Sequence, residues 1–259
     1  MTEKTKKQHS INNELSNYYG DTRILEFLKY DKKGQFKCIY CGNKADSREH
    51  IPSKIFLNEP FPTNLAILPS CKKCNNSFSE YEQYLACLID YVQYKINNLK
   101  IVKRSKIQKT FNSRPNIKSE FENSTKYTQN NEVDYIEYNH DKIKSILLKL
   151  SIGHAIYTLS AIHLSEPNII NYKFFPELTQ EELNSFNSEP ISDIAPEIGS
   201  RGAVYISISN NNTPISTWNI IQDGQYRFLA FQNNSSITIR IVIGEYFYSE
   251  LIWKTYFKK

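Results

Sequence analysis

At 259 residues the chain is long enough for one large domain or two modest ones, and 40% hydrophobic with 23% charged residues is the balance of a globular protein. No run approaches the roughly 18 apolar residues of a membrane span, which excludes a transmembrane helix and a membrane partner. The charged opening MTEKTKKQHS leads into no apolar region of a secretory signal, so the cytoplasm is the expected compartment. A net charge of +5 permits nucleic-acid binding without demanding it.

Ile24, Leu25, Leu28 and Tyr30 are spaced for a short helix, which predicts a helical extension over residues 1–35. From about Phe36 to Asn76 the chain is rich in turns and framed by Cys38, Cys41, Cys71 and Cys74. A long helix is predicted next, because Phe78, Tyr81, Leu85, Leu88, Val92 and Leu99 recur at helical spacing and Ser79 with Glu82 makes a capping box. Cys87, inside that helix, reads as a small buried hydrophobe. Lys95, Lys100, Lys103, Arg104, Lys106 and Lys109 then crowd together, as a solvated helix end and linker or as a patch that contacts phosphates.

Residues 110–139 are polar and read as a linker or irregular excursion. A second helix is predicted over about 140–164, with Ile143, Ile146, Leu147, Leu150, Ile156 and Leu159 on one face and Asp141 as a cap. His154 and His163 lie on or beside that apolar pattern and read as core or surface residues. Residues 165–200 read as loops with a short helix near TQEELNSF. From Arg201 the period changes to two: GAVYISIS, ISTWNIIQ, QYRFLAFQ and SSITIRIVIG alternate, with turn signals at Asp223-Gly224 and NNSS. They predict an antiparallel meander of about four strands within 202–253, and an α+β fold class for the chain.

The two C-x-x-C pairs can close a tetrahedral zinc site with no position left for substrate, and two matched pairs favour metal over redox chemistry. Around them stand EHIP at 49–52, TNLAILPSC at 63–71 and CNNS at 74–77. In this order, over about residues 36–80, they resemble the zinc-stapled members of the HNH, or ββα-metal, nuclease family.

The resemblance implies a nuclease module at 36–100 and an α+β accessory domain at 101–259. It implies His50 as the general base, Glu49 and Asn75 as ligands of a catalytic Mg2+ or Mn2+, and Asn64 as a brace for the imidazole or its loop. Structural zinc would sit on Cys38, Cys41, Cys71 and Cys74. The implied reaction is hydrolysis of DNA phosphodiesters, double-stranded ahead of single-stranded, with Lys100, Lys103, Arg104 and Lys106 on the phosphates. A protein partner is conceivable through the C-terminal domain. The closing GEYFYSELIWK resembles C-terminal segments of stand-alone HNH proteins from bacterial mobile-element and anti-phage loci, which implies a place in defence. The alternative is a zinc-stapled module that binds nucleic acid or protein without cutting; such a binder has no need of Glu49, His50, Asn64 and Asn75 together.

Overall fold

The computed structural model describes residues 37–161, 164, 166–191, 201, 205–208 and 210–254. The expected helical extension at 1–35 and His163 lie outside them. Among the described residues the chain is mixed α+β, with five α-helices and a C-terminal antiparallel sheet. Strands β1 (Ser47–Ile51) and β2 (Ala66–Ser70) pair antiparallel with Ile51 opposite Ala66. Helix α1 (Lys72–Ile96) leaves β2 across a single residue, Cys71.

Helix α1 is buried on every side from Tyr84 to Val92, the mark of a helix sunk in a core. It is followed by α2 (Ser105–Ser113) and α3 (Pro115–Asn123), which opens with proline in its first turn. The short strands β3 (Thr125–Tyr127) and β4 (Val133–Ile136) make a hairpin. Residues 110–139 are therefore largely structured, against the sequence expectation. Their helix is anchored by one fully buried aromatic, Phe121, packed on Tyr84, Tyr91 and Phe111. Buried anchors as sparse as Phe111, Phe121 and Ile136 leave no hydrophobic period to read in a polar stretch.

Helix α4 (His140–Leu159) begins at Asn139, whose side chain accepts the Lys142 N–H. Asp141 stands in its first turn, where a carboxylate favours the helix dipole, while the cap itself is Asn139. The sequence after it forms β5 (Ile169–Phe174), α5 (Gln180–Asn187), β6 (Ile206–Ile208), β7 (Pro214–Ser216), β8 (Asn219–Gln222), β9 (Tyr226–Gln232), β10 (Ser236–Ile243) and β11 (Phe247–Lys254). The main sheet has five strands in the order β5-β11-β10-β9-β8.

Two details of the expected meander change. Strand β6 pairs with β7 in a separate hairpin, and β11 and β5 complete the main sheet. The closing segment reads poorly as an alternating strand because β11 buries Phe247, Tyr248 and Ser249 in succession. Strand β5 is an edge of six residues inside a segment punctuated by prolines. The turn signal at Asp223-Gly224 joins β8 to β9, with Gly224 at φ +64.

Helix α4 is the hub, touching β9, β10 and β11 on the sheet, α1, and both strands of the N-terminal hairpin. Its Gly153 permits the last of these approaches: a Cβ there would fall 2.5 Å from Ile51 Cδ1. The largest hydrophobic cluster runs from Phe56 through α1 and α4 to Trp253, joining residues on both sides of position 100. Among the described residues no helix is long and apolar enough to cross a membrane.

Candidate functional site

The first cysteine pair lies in a tight knuckle. Cys38 N–H donates to Asn43 O at 2.6 Å and Gly42 N–H to Cys38 O at 2.9 Å. Gly42 has φ +72, a left-handed conformation that glycine adopts without strain. Ile39 N–H donates to Pro69 O, hanging the knuckle on β2. The second pair is built into the start of α1: Cys71 is the N-cap, and its sulfur accepts the Cys74 N–H at 3.4 Å. Lys72 N–H is held by Asp46 Oδ1 at 2.7 Å.

All four sulfurs lie within 4.8 Å of one another, and Cys41 Sγ is 3.8 Å from Cys71 Sγ. Tetrahedral zinc with bonds of about 2.3 Å separates its sulfurs by about 3.8 Å, so the cluster fits structural zinc. The backbone hydrogen bond at Asn43 helps draw the Cys41 thiol down to about 7, while burial and the neighbouring sulfurs push the Cys74 thiol up. Cys87 is buried in α1, apart from the cluster.

Alternation along β1 sends its two site residues to opposite faces. Glu49 points inward and is 4% exposed. Its Oε1 accepts from Lys149 Nζ at 2.9 Å and from Ser53 Oγ at 3.1 Å. Lys149 comes from α4, also donates to Ser53 Oγ at 2.7 Å, and pairs with Glu82 of α1. Burial raises the Glu49 pKa, and the Lys149 ammonium opposes that rise. Glu49 Oε2 is buried with no hydrogen-bond partner. Lys149 was not anticipated from the sequence, and Glu82, expected in a capping box with Ser79, lies inside a helix that Cys71 caps and meets Lys149 instead. The signal was a lysine inside the apolar run ILLKLSIGHA.

These contacts decide how the expected catalytic ion fits. Mg2+ asks for near-octahedral oxygen ligands. Glu49 instead holds an ammonium, and Asn75 Nδ2 donates to Ser47 Oγ at 3.0 Å and Arg48 O at 3.1 Å. Asn75 thus straps the first turn of α1 to β1. Among the described residues the four cysteines are the one group of three or more His, Cys, Asp or Glu side chains placed to hold a metal. Glu49 Oε1 and Asn75 Nδ2 are thus committed inside the protein, and the atoms left to a cation are Glu49 Oε2 and Asn75 Oδ1.

His50 takes the other face of β1, opposite Ile67, and is half-buried. Burial first, and the positive charge of Lys54 second, hold its pKa down to about 4. The imidazole is therefore neutral at physiological pH. Asn64 sits in the turn ahead of β2 and is exposed. It borders a cavity of about 50 Å³ with Ile51, His154 and Asn219.

The basic run divides into two fates. Lys100 and Lys103 are exposed. Arg104 is buried in an ion pair with Asp90 at 2.5 Å, and donates to Ile55 O at 2.8 Å and Ala86 O at 3.1 Å. A guanidinium spent this way cannot meet a phosphate, which corrects the expectation for Arg104. Its contacts fold the start of α2 onto the turn after β1. There Lys106 Nζ donates to Lys54 O at 2.7 Å, and burial lowers the Lys106 pKa to about 8.

No family model, curated protein or solved structure matches the chain.

Proposed function

We propose that the protein is a nuclease of the HNH type that hydrolyses phosphodiester bonds in DNA, with His50 as general base. The observation that carries this reading is a neutral, partly exposed imidazole on β1, the strand whose partner β2 leads into Cys71 of the four-cysteine cluster, and it lies within reach of the Lys54 charge. A base must be unprotonated to accept the proton of an attacking water. The negative charge of a bound phosphodiester would offset Lys54 and strengthen that base at the moment it is needed. The cysteine cluster, once loaded with zinc, fixes the knuckle against β2 and α1 without touching substrate.

The arrangement of Glu49 and Asn75 assigns no step to a divalent ion. That same pairing of Glu49 with Lys149 favours a second reading, a zinc-stapled module that binds nucleic acid without cutting it. Incubation of supercoiled plasmid with the protein, with Mg2+ or Mn2+ and with or without EDTA, separates the two. Nicking by wild type that His50→Ala loses supports the nuclease; intact plasmid under every condition supports the binder. A place in bacterial defence belongs to this proposal only through the resemblance of the closing segment.

A further inference from the structure

Phe61 lies in the loop between β1 and β2, and two lysines from distant parts of the chain share its ring. Lys54 Nζ and Lys106 Nζ each stand 5.3 Å from its centroid. Two cations so placed are at most about 11 Å apart. The gathering is built by structure: the buried Arg104–Asp90 pair anchors α2, Arg104 ties it to Ile55 O, and Lys106 reaches Lys54 O. The aromatic face steadies each ammonium as a cation–π partner while leaving the net charge positive. Lys54 in turn is close enough to His50 to depress its protonation. Glu59 and Asp90 are the acidic groups whose charge Lys106 feels. Asp90 is already paired with Arg104, which leaves Glu59 as the carboxylate that Lys106 feels.

We propose that Lys54 and Lys106, propped on Phe61, form the seat that takes the phosphate backbone of DNA and presents it to His50. The proposal rests on the nuclease reading for the role of His50, but the seat itself is a binding site. An ammonium carries three N–H donors, and Lys106 spends one on Lys54 O, so two remain for phosphate oxygens. A phosphate there would lie beside the imidazole that activates water.

The test is equilibrium binding of a fluorescein-labelled, mixed-sequence DNA duplex to the zinc-loaded full chain. No divalent ion is added, salt is varied, and a gel confirms that the duplex stays intact. Lys54→Met or Lys106→Met keeps the aliphatic stem and should lower the slope of log affinity against log salt by about 0.9 each, and the double variant by about twice that. Lys54→Arg with Lys106→Arg should keep the wild-type slope. Unchanged slope and affinity in a zinc-retaining Met double variant overturns the seat, and leaves the role of His50 to its own cleavage assay. Wild type that fails to bind the duplex at low salt overturns both.

Lysine acylation of the wild type gives a readout independent of variant folding. Lys54 and Lys106 should lose reactivity on adding the duplex, while Lys173, on the sheet-edge strand β5, keeps it. Equal reactivity of all three with and without DNA overturns the seat.

Discussion

Lys149 of α4 and Glu49 of β1, 100 residues apart in sequence, meet at 2.9 Å with the lysine side chain wholly buried. Glu82 of α1 closes the group on the other side of the same ammonium. Three elements are thereby pinned at one point, on the strand that carries His50 on its opposite face. Removing one partner of a buried pair leaves an uncompensated charge, at a cost of about 3–5 kcal/mol.

Lys149→Met should therefore lose about that much stability in urea denaturation of the zinc-loaded protein. Adding Glu49→Gln and Glu82→Gln to it should recover part of the loss, because the charges left behind are removed. A Lys149→Met protein as stable as wild type would show that the ion group contributes nothing to the fold.

The cysteine cluster should bind one zinc per chain, since its four sulfurs complete a single tetrahedron. Cys38→Ser or Cys74→Ser should lose the metal and, with it, the ordered hairpin. Cys87→Ala should retain it. Elemental analysis of each variant, purified without chelator, checks all three; zinc lost from Cys87→Ala alone would reverse the ligand assignment.

His154 links folding to pH. It is fully buried, stacked on Phe228 at 3.8 Å between centroids, and its Nε2 is 2.8 Å from Tyr226 Oη. Burial holds its pKa to about 3, below the ordinary histidine value of 6.5. A depressed histidine contributes fully above its unfolded pKa, and that contribution is lost as pH falls from about 6.5 toward 3. The slope of stability against pH in that window should include up to about 1.4 kcal/mol per unit from this residue. His154→Phe with Tyr226→Phe should flatten it by that amount, measured against wild type so that proton uptake by the cysteines is common to both. An unchanged slope would mean that His154 is protonated in the fold.

Gly153 faces Ile51 so closely that an added methyl has nowhere to go without displacing Ile51 Cδ1 at 2.5 Å. Ile51 is 1% exposed, so it has little room to move. Gly153→Ala should cost about 1–3 kcal/mol by overpacking, against a helix-propensity gain of about 1 kcal/mol. Ile51→Val removes the offending carbon, so the double variant should be more stable than Gly153→Ala alone. Thermal unfolding of the four proteins of this cycle decides it.

How much of this was legible in the sequence differs from residue to residue. Cys38, Cys41, Cys71 and Cys74 declare their partnership by spacing, because a knuckle needs two residues between ligands. Helices α1 and α4 declare themselves by period. Lys149 was visible as an oddity in an apolar run, but its partners come from two elements that only the tertiary fold brings to it. Arg104 looked like one more member of a basic run, since nothing local reveals that Asp90, a full helical segment earlier, would bury it. The adjacency of Glu49 and His50 invited a shared role; strand alternation gives them opposite faces. Strand β5 stayed hidden among prolines because its pairing partner, β11, lies some 80 residues on.

The central claim concerns His50, and one comparison tests it most directly: initial cleavage rates of plasmid DNA by wild type and His50→Ala, with zinc content and DNA affinity measured in the same preparations. Zinc and affinity should stay near wild type, because the cysteines and the lysine seat are separate groups. Cleavage should fall by roughly 10²- to 10⁴-fold, the usual contribution of a positioned acid–base residue. The wild-type rate should rise as pH passes about 4 and stay level through neutrality, as the neutral imidazole becomes fully populated. A His50→Ala protein that keeps its zinc and cuts at the wild-type rate contradicts the account.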